Sequence, residues 1–236
     1  MTVAELAYQK TALGELTLRR RTEPRLGSRE IYEVKLGDEY LMSSLFTESE
    51  QQLAKLGLAP LRGELDVVVG GLGLGFTAAE ALKDPKVNRL LVIDLFQEVI
   101  DWHEGNLVPN GIVLTSDPRC GLRQGDFFKL ARTGFDPTDQ DRKFDSVLLD
   151  IDHSPRHFLD PNNSSFYTSE GLIGVREQIK VGGTFALWSD DPADDEIVSF
   201  FRSTFGSAVA HNIEFPNPYT GKTSVNSVYL AQRTGE

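Results

Sequence analysis

Apolar residues in this chain gather in short unbroken runs, separated by longer stretches in which apolar and polar residues mix. The runs are typical of strands buried on both faces of a parallel sheet, and the stretches between them contain strong helix formers. The strands predicted from these runs lie at 67–69, 90–93, 144–150 and 184–189, with a weaker one at 120–124. Strands that alternate with helices predict a mostly parallel sheet covered by helices on both faces.

The N-terminal part of the chain has a different pattern, with partial period-two alternation in place of unbroken apolar runs. This alternation predicts a small antiparallel β-domain. Its strands are expected at 16–21, 30–36 and 39–42. A lead-in helix follows, with Thr47 as N-cap and Glu50 three residues later in the pattern of a capping box. We assign the β-domain and this helix to residues 1–60.

The C-terminal part closes the main sheet. Two apolar-rich segments, at 209–215 and 225–232, predict an antiparallel strand pair. Before them, Ser169 is expected to begin a helix that ends at Gly182 and Gly183. Residues 61–236 are therefore predicted to form one α/β domain.

A glycine-rich loop follows the first parallel strand. Gly71, Gly73 and Gly75 lie directly after it, and Asp94 ends the next strand about 20 residues further on. Glycines permit a tight turn and close approach of a ligand to the backbone, while an acid at that distance can accept the hydroxyl hydrogens of a ribose. The G-x-G-x-G spacing differs from the dinucleotide fingerprint and favours S-adenosylmethionine or its decarboxylated form. The alternative is that these glycines only form a βα turn.

The ends of the other predicted strands also carry polar residues. In open parallel sheets, ligands bind beyond the carboxyl ends of the strands, where the strand order reverses. The residues at those ends are Asp94, Asp126, Asp150, Asp152, His153 and Asp190. Because four of five strands end on or next to an acid, we expect these residues to surround the ligand.

Composition limits the classes of partner. The 236 residues carry a net charge of −11, which argues against nucleic acid and is compatible with a small cationic substrate. No apolar run is long enough to span a bilayer, so we expect a cytoplasmic protein that does not contact a membrane. The single cysteine, Cys120, excludes an internal disulfide.

Five motifs together resemble the bacterial spermidine synthase-like proteins, the polyamine aminopropyltransferase branch of the S-adenosylmethionine-dependent methyltransferase superfamily. The resemblance extends from about residue 31 to residue 232. The motifs are Leu-Met-Ser-Ser at 41–44, Val-Gly-Gly-Leu-Gly-Leu-Gly-Phe at 69–76, Phe-Asp-Ser-Val-Leu-Leu-Asp-Ile-Asp at 144–152, Phe-Tyr-Thr-Ser-Glu-Gly-Leu at 166–172 and Ala-Leu-Trp-Ser at 186–189.

The resemblance implies an N-terminal β-domain and a seven-stranded Rossmann-like core that binds S-adenosylmethionine or decarboxylated S-adenosylmethionine as co-substrate. It also implies a small amine acceptor, a homodimer and no metal. Asp94 with Leu95 would hold the ribose, and Asp126 with Phe127 the adenine. Asp150 would be the base for the attacking amine. The substrate-binding positions would be Glu50, Asp190 and Tyr219.

Three departures from the family pattern leave alternatives open. The loop aspartate that binds the donor amine in the family is Gly73 here. Aminopropyl transfer is the first hypothesis for the reaction, and this glycine leaves methyl transfer from S-adenosylmethionine as the second. A tyrosine–glutamine pair is replaced by Ser49 and Glu50, which puts acceptor recognition in question. A third hypothesis is a catalytically silent nucleoside-binding module.

The third departure concerns the segment after the base. If the strand ends at Asp150, the side chains of Asp150 and Asp152 enter the same pocket, and repulsion between the two carboxylates raises the pKa of one of them. We therefore count Asp152 and His153 as catalytic candidates. The alternative is that both residues cap the following segment. A metal site formed by Asp150, Asp152, His153 and His157 is the weakest interpretation, because acids and histidines in a loop are usually only solvated.

Overall fold

The computed structural model describes residues 2–235, in which an antiparallel sheet lies beside a larger, mostly parallel one. The small sheet has four strands in sequence order, joined by hairpins. They are β1 (Val3–Thr11), β2 (Gly14–Glu23), β3 (Arg29–Leu36) and β4 (Glu39–Ser43). β1 was not predicted, because its sequence lacks a clear apolar alternation. It is an edge strand that pairs with β2 through backbone hydrogen bonds.

The large sheet has seven strands. In chain order they are β5 (Leu65–Gly70), β6 (Val87–Asp94), β7 (Cys120–Gln124), β8 (Phe144–Leu149), β9 (Ile179–Ser189), β10 (Gly206–Asn217) and β11 (Lys222–Arg233). Their spatial order is β10-β11-β9-β8-β5-β6-β7. β5 to β9 are parallel, and β11 runs antiparallel to both of its neighbours. The α/β fold, with its seven-stranded Rossmann-like sheet and small N-terminal antiparallel sheet, is as predicted.

Helices cover both faces of the large sheet. They are α1 (Glu48–Leu58), α2 (Phe76–Leu82), α3 (Gln97–Glu104), α4 (Gly111–Ser116), α5 (Phe127–Thr133), α6 (Ser169–Glu177) and α7 (Asp195–Phe205). One core lies under α1, α2 and the small sheet, and the other lies under α5, α6 and α7. Within residues 2–235, no helix combines the length and the apolar character that a membrane crossing needs.

α1 packs against α2 and against the strands β8, β9 and β11 of the large sheet. Three local predictions differ from the structure. The N-terminus of α1 has no capping box, because Thr47 makes no side-chain cap bond and Glu50 is turned inward. Thr168, one residue before the predicted cap, caps α6 by accepting from the Gly171 N–H. Gly182 and Gly183 lie inside β9, where the register with β8 shifts, and do not end a helix.

The order of the strands determines where a ligand can bind. From β5 the chain builds outward through β6 and β7, then returns to add β8 on the other side of β5. The ends of β5 and β8 are joined by a hydrogen bond from the Asp150 N–H to the Gly70 carbonyl, 2.8 Å long. A crevice at such a reversal is the usual ligand site of an open α/β sheet.

Candidate active site

A cavity of about 240 Å³ lies at this reversal, beyond the carboxyl ends of β5, β6, β7 and β8. We call it the nucleoside cavity, after the ligand that the sequence predicts for these positions. Most of the positions predicted at the strand ends line it. They are Gly71, Gly73, Asp94, Leu95, Asp126, Phe127, Asp150 and His153, together with Glu50 from α1.

Asp94 lies at the end of β6, where its carboxylate supports the loops on either side. It accepts the N–H groups of Leu72 and Phe96, each at 2.9 Å. Burial raises the pKa of Asp94, and these backbone N–H groups act in the opposite direction. An ionised carboxylate has about four acceptor positions, so capacity remains for ligand hydroxyls.

The three loop glycines all have positive φ, but the space left by their missing side chains is occupied by the protein itself. A Cβ on Gly71 would lie 2.0 Å from the Asp150 carbonyl oxygen, and one on Gly75 would lie 2.7 Å from His103 Cε1. Gly75 begins α2 and does not line the cavity. The glycines therefore allow the loop to pack tightly against β8 and α3. A role of Gly71 and Gly73 toward a ligand stays a prediction.

Asp126 and Phe127 lie at the end of β7, at the start of α5. Asp126 is the N-cap of that helix and accepts the Lys129 N–H at 3.2 Å, while remaining exposed. The ring of Phe127 is buried directly under Gly70, where a Cβ would be only 2.5 Å away. Capping uses one acceptor position of Asp126, so its carboxylate keeps further acceptor positions for the predicted contact to adenine.

Asp150 forms a pair of carboxyl groups with Glu50 on the floor of the cavity. Asp150 accepts a hydrogen bond from the Thr77 hydroxyl at 2.6 Å, and Thr77 also lies against the Glu50 carbonyl. The Glu50 side chain, 7% exposed as a residue, accepts from the Ser49 hydroxyl at 2.9 Å. The Asn226 amide donates in turn to Ser49 at 3.1 Å, so β11 is tied to the pair.

The two carboxyls titrate in separate steps. Burial raises the pKa of Asp150 to about 6, while the bond from Thr77 acts to lower it. Burial first, and the charge of Asp150 second, raise the pKa of Glu50 to about 8. Near neutral pH the pair therefore shares one proton, because the charge of one carboxyl opposes ionisation of the other, and the lower pKa favours Asp150 as the ionised member. A base that is ionised while a neighbouring acid stays neutral is suited to accept a proton at this pH.

A catalytic Asp152 would have to share the pocket of Asp150, and the structure places its side chain outside that pocket. It is 3% exposed and lines neither this cavity nor the next. Its carboxylate accepts the Leu159 N–H and the Asn163 amide, both at 2.8 Å, and the Tyr167 hydroxyl at 3.0 Å. Asp152 therefore anchors the segment after β8, as the capping alternative proposed, because these three donors occupy its oxygens.

A second cavity, of about 550 Å³, adjoins the first and contains the predicted acceptor-side positions. We call it the acceptor cavity. Glu50, Asp190 and Tyr219 line it. The wall common to both cavities consists of Leu41, Met42, Glu50, His153 and Trp188. The two cavities therefore meet beside Glu50 and its neighbour Asp150.

His153 and Asp190 lie together at this junction. The His153 carbonyl accepts the Asp190 N–H at 2.7 Å, which fixes the loop after β9 against the loop after β8. The His153 ring lies beside the His157 ring, with centroids 5.0 Å apart and planes tilted by 35°, and its Nε2 is 3.8 Å from the exposed Glu39 carboxylate. No cluster of three or more potential metal ligands occurs among the residues that the structure describes.

Three residues of the site were not predicted as functional. Thr77 follows the glycine loop by two positions, and its place in the first turn of α2 was a signal that it faces the strand ends. Met42 comes from the small sheet, and its sulfur accepts the Leu74 N–H at 2.9 Å. Trp188 was interpreted as more often a core residue, but it is half-buried and lines both cavities. The contacts of Met42 and Trp188 depend on how the two sheets pack.

An α/β sheet with a glycine loop, an acid at the end of the next strand and a further acid at the strand reversal matches the general arrangement in which open α/β sheets bind ligands. No family model matches the chain. It is 22% identical over 191 residues to a polyamine aminopropyltransferase of Pyrobaculum arsenaticum, covering 76% of this chain and 63% of that protein. It is 25% identical over 171 residues to polyamine aminopropyltransferase 2 of Pseudomonas aeruginosa, covering 64% and 43%. The chain thus spans less than two thirds of these relatives.

Solved structures give the same result for the fold. A spermidine synthase from Thermotoga maritima has a TM-score of 0.75 at 17% identity, covering 98% of this chain and 74% of that one. A spermidine synthase in complex with the transition state analogue AdoDATO has a TM-score of 0.76 at 16% identity, with the same coverage. The chain therefore has the spermidine synthase fold, and its resemblance to the aminopropyltransferases is confirmed.

Proposed function

We propose that this protein is a spermidine synthase-like transferase that moves an aminopropyl group from decarboxylated S-adenosylmethionine to a small amine. The observation that carries the proposal is the junction of the two cavities. One cavity has the strand-end acids expected for a nucleoside, the other opens toward a separate substrate, and they meet at the Asp150–Glu50 pair. Such a junction is what group transfer between two bound substrates requires.

In this proposal Asp94 and Leu95 hold the ribose, and Asp126 and Phe127 hold the adenine. The acceptor amine arrives protonated, and the ionised Asp150 accepts one of its protons, which frees an electron pair on the nitrogen. This pair attacks the propyl carbon bonded to the sulfonium sulfur. The carbon–sulfur bond breaks, its electrons neutralise the sulfur of the departing methylthioadenosine, and the alkylated nitrogen leaves as a secondary ammonium.

Glu50 contributes by remaining neutral. Near neutral pH it holds the proton of the pair, so the cavity floor carries one negative charge and not two. Two adjacent carboxylates would bind a cationic amine more firmly and hold its proton in place. A single carboxylate attracts the amine and can still accept its proton.

Calorimetric titration tests the proposal. The four ligands are the donors S-adenosylmethionine and decarboxylated S-adenosylmethionine and the by-products methylthioadenosine and S-adenosylhomocysteine. Decarboxylated S-adenosylmethionine and methylthioadenosine are expected to bind, and addition of an amine is expected to release methylthioadenosine, measured by chromatography. Absence of binding by all four nucleosides would overturn the proposal. Binding without turnover, over a broad panel of amines, would instead favour the silent nucleoside-binding module.

Methyl transfer from S-adenosylmethionine is a second candidate, favoured by one observation. At the loop position where the family has an aspartate, Gly73 faces Met42, and a Cβ there would lie 2.8 Å from the Met42 sulfur. No carboxylate at this position selects a donor that has lost its own carboxylate. The products distinguish the two reactions, because methyl transfer releases S-adenosylhomocysteine.

The remaining parts of the proposal follow from the resemblance and the charge. We propose a homodimer in the cytoplasm, with a small amine as partner and with neither nucleic acid nor a membrane as partner. The net charge of −11 supports exclusion of nucleic acid, since phosphate binding depends on a basic surface.

A further inference from the structure

The acceptor cavity has walls of opposite character. Its near end, at the junction with the nucleoside cavity, contains the carboxyls of Glu50 and Asp190. Its far end is formed by the small sheet and the β10–β11 turn, and contains Arg21 and the hydroxyls of Tyr40 and Tyr219. A substrate that fills the cavity therefore meets acids at one end and hydrogen-bond donors at the other.

The carboxylates of the far wall are already paired. Glu33 accepts Arg21 Nε at 2.8 Å with one oxygen and Arg19 Nε at 2.7 Å with the other. Glu23 accepts Arg21 Nη1 at 2.9 Å and the Arg25 N–H at 3.3 Å. Two guanidinium groups thus balance two carboxylates. A second ammonium group on the acceptor would find no free carboxylate there and would face Arg21.

Hydrogen-bond donors remain available on the same wall. Arg21 is 10% exposed at its side chain and has five N–H groups, of which three have partners in the described part of the chain. The Tyr219 hydroxyl accepts from Arg21 Nη2 at 2.5 Å, and the Tyr40 hydroxyl accepts from Arg19. Because each phenol oxygen already accepts from a cation, its own hydrogen is left to donate into the cavity. A carboxylate is the group that such donors bind best.

We propose, on the basis of the function proposed above, that the acceptor is an aminocarboxylate and not a diamine. Its amine lies toward Asp150 and Asp190, and its carboxylate lies against Arg21 and the hydroxyls of Tyr40 and Tyr219. Asp190 suits the amine end, since it lies beside His153 at the junction and its side chain makes no hydrogen bond or ion pair within residues 2–235. The polyamine acceptor named in the sequence relatives would carry positive charge at both ends.

Matched acceptors test this assignment. Three series are titrated calorimetrically into the protein saturated with methylthioadenosine: ω-aminocarboxylates of three to six carbons, diamines of the same lengths, and simple alkylamines. The best aminocarboxylate is expected to bind about ten-fold more tightly than the alkylamine of equal length, the value of one charge-assisted hydrogen bond. The diamine is expected to bind more weakly than the alkylamine. Transfer from decarboxylated S-adenosylmethionine is expected to follow the same order.

The Tyr219→Phe variant locates the effect. It keeps the ring and removes one hydroxyl donor, so it should lower the affinity for the aminocarboxylate more than the affinity for the alkylamine. Tyr8→Phe is the matched control, because Tyr8 lies in the same small sheet, bonds only to Glu15 and lines neither cavity. It should change nothing.

Three results would overturn the inference: diamines that bind as well as aminocarboxylates, no binding by any aminocarboxylate, or an equal loss for all three series in Tyr219→Phe. If a diamine is the best acceptor and methylthioadenosine is released, the inference fails while the proposed function stands. If no nucleoside binds, the proposed function fails. The same three series titrated into the free protein then decide whether the far wall prefers a carboxylate.

Discussion

The two cavities are built by different means, although they share a wall. In the nucleoside cavity, the acids Asp94, Asp126 and Asp150 come from the ends of parallel strands of the large sheet, while the small sheet adds apolar side chains such as Leu41 and Met42. The acceptor cavity takes its polar groups from residues far apart in sequence. Arg21, Glu50, Asp190 and Tyr219 come from the small sheet, α1, the loop after β9 and the β10–β11 turn. The strand-end acids of the first cavity depend on the topology of one sheet, and the polar groups of the second depend on the packing of two.

This difference distinguishes positions whose substitution would disturb the backbone from positions whose side chains could be substituted one at a time. In the glycine loop beside the nucleoside cavity, Gly71 and Gly75 are packed against the protein's own backbone and helices, so substitution there disturbs the loop itself. In the acceptor cavity, side chains from separate elements meet across a gap, and each could change alone. The departures from the family pattern at Glu50 and beyond Asp150 fall at or beside this second region.

The largest effect on ligand binding is expected from Asp94→Ala, which removes an acid of the nucleoside cavity. The variant loses the hydrogen bonds proposed for the ribose, each worth about 1.5–3 kcal/mol, so methylthioadenosine affinity should fall by at least about 100-fold. Calorimetry measures the affinity, and circular dichroism checks the fold, since Leu72 and Phe96 also lose an acceptor. Asp101→Ala, at an exposed helical acid, is the control. Unchanged affinity in a folded Asp94→Ala protein would remove the proposed site.

Asp150→Asn acts at the junction and should separate chemistry from binding. The amide keeps the shape and cannot accept the proton, so turnover should fall by about 10²–10⁴-fold, the usual size of a general-base effect. Donor affinity should stay within about five-fold, because Asp150 does not contact the nucleoside in the proposed arrangement. Steady-state kinetics and calorimetry measure the two quantities.

Asp152→Asn provides the comparison for that variant. Asp152 accepts three hydrogen bonds away from both cavities, so its substitution should lower stability and leave the chemical step intact. Chemical denaturation measures the stability. Near-full activity of Asp150→Asn would show that the base lies elsewhere, with His153 the next candidate, because it lines both cavities.

Sequence reasoning predicted the first region better than the second, for a physical reason. The glycine loop, Asp94 and Asp150 follow directly from strand ends, because parallel strands bring their carboxyl ends to one edge of a sheet. Asp152 was misplaced, since two residues beyond a strand the chain direction is no longer fixed by the sheet. The inward turn of Glu50 was hidden by a capping pattern that fits its sequence equally well. The bond between Arg21 and Tyr219 spans 198 residues, and no local signal predicts it.

A smaller effect is expected where the small sheet reaches over the nucleoside loop. Gly73 carries no carboxylate that would favour one donor over the other, so the wild type should bind S-adenosylmethionine at least as well as the decarboxylated donor. Gly73→Asp needs room, because its Cβ would lie 2.8 Å from the Met42 sulfur at a φ of +46°. Combined with Met42→Ala, it should shift the affinity ratio about ten-fold toward the decarboxylated donor, the value of one charged hydrogen bond.

The Met42→Ala single variant is the control, since it creates the space without the charge. Thermal unfolding of both variants distinguishes a change of preference from a damaged loop. A wild type that strongly prefers the decarboxylated donor would show that another acid holds the donor amine, most directly Asp190 at the junction.

The smallest effect on turnover is expected from Glu50→Gln, although its effect on stability should be clear. Glu50 is neutral near pH 7, so a neutral amide should leave turnover within about five-fold if Asp150 alone accepts the proton.

Because burial raises the pKa of Glu50 to about 8, the folded protein holds a proton that the unfolded chain has already released above its ordinary pKa of 4.5. Stability therefore falls as pH rises through that window, with a slope of up to about 1.4 kcal/mol per pH unit. In Glu50→Gln this decline should vanish between pH 6 and pH 8, leaving the contribution of Asp150, which ends near its pKa of about 6. Urea denaturation of both proteins from pH 5 to pH 8.5 measures the difference. A loss of turnover as large as that of Asp150→Asn would instead make Glu50 the second working acid of the junction, and an unchanged slope would show that Glu50 is already ionised in the folded protein.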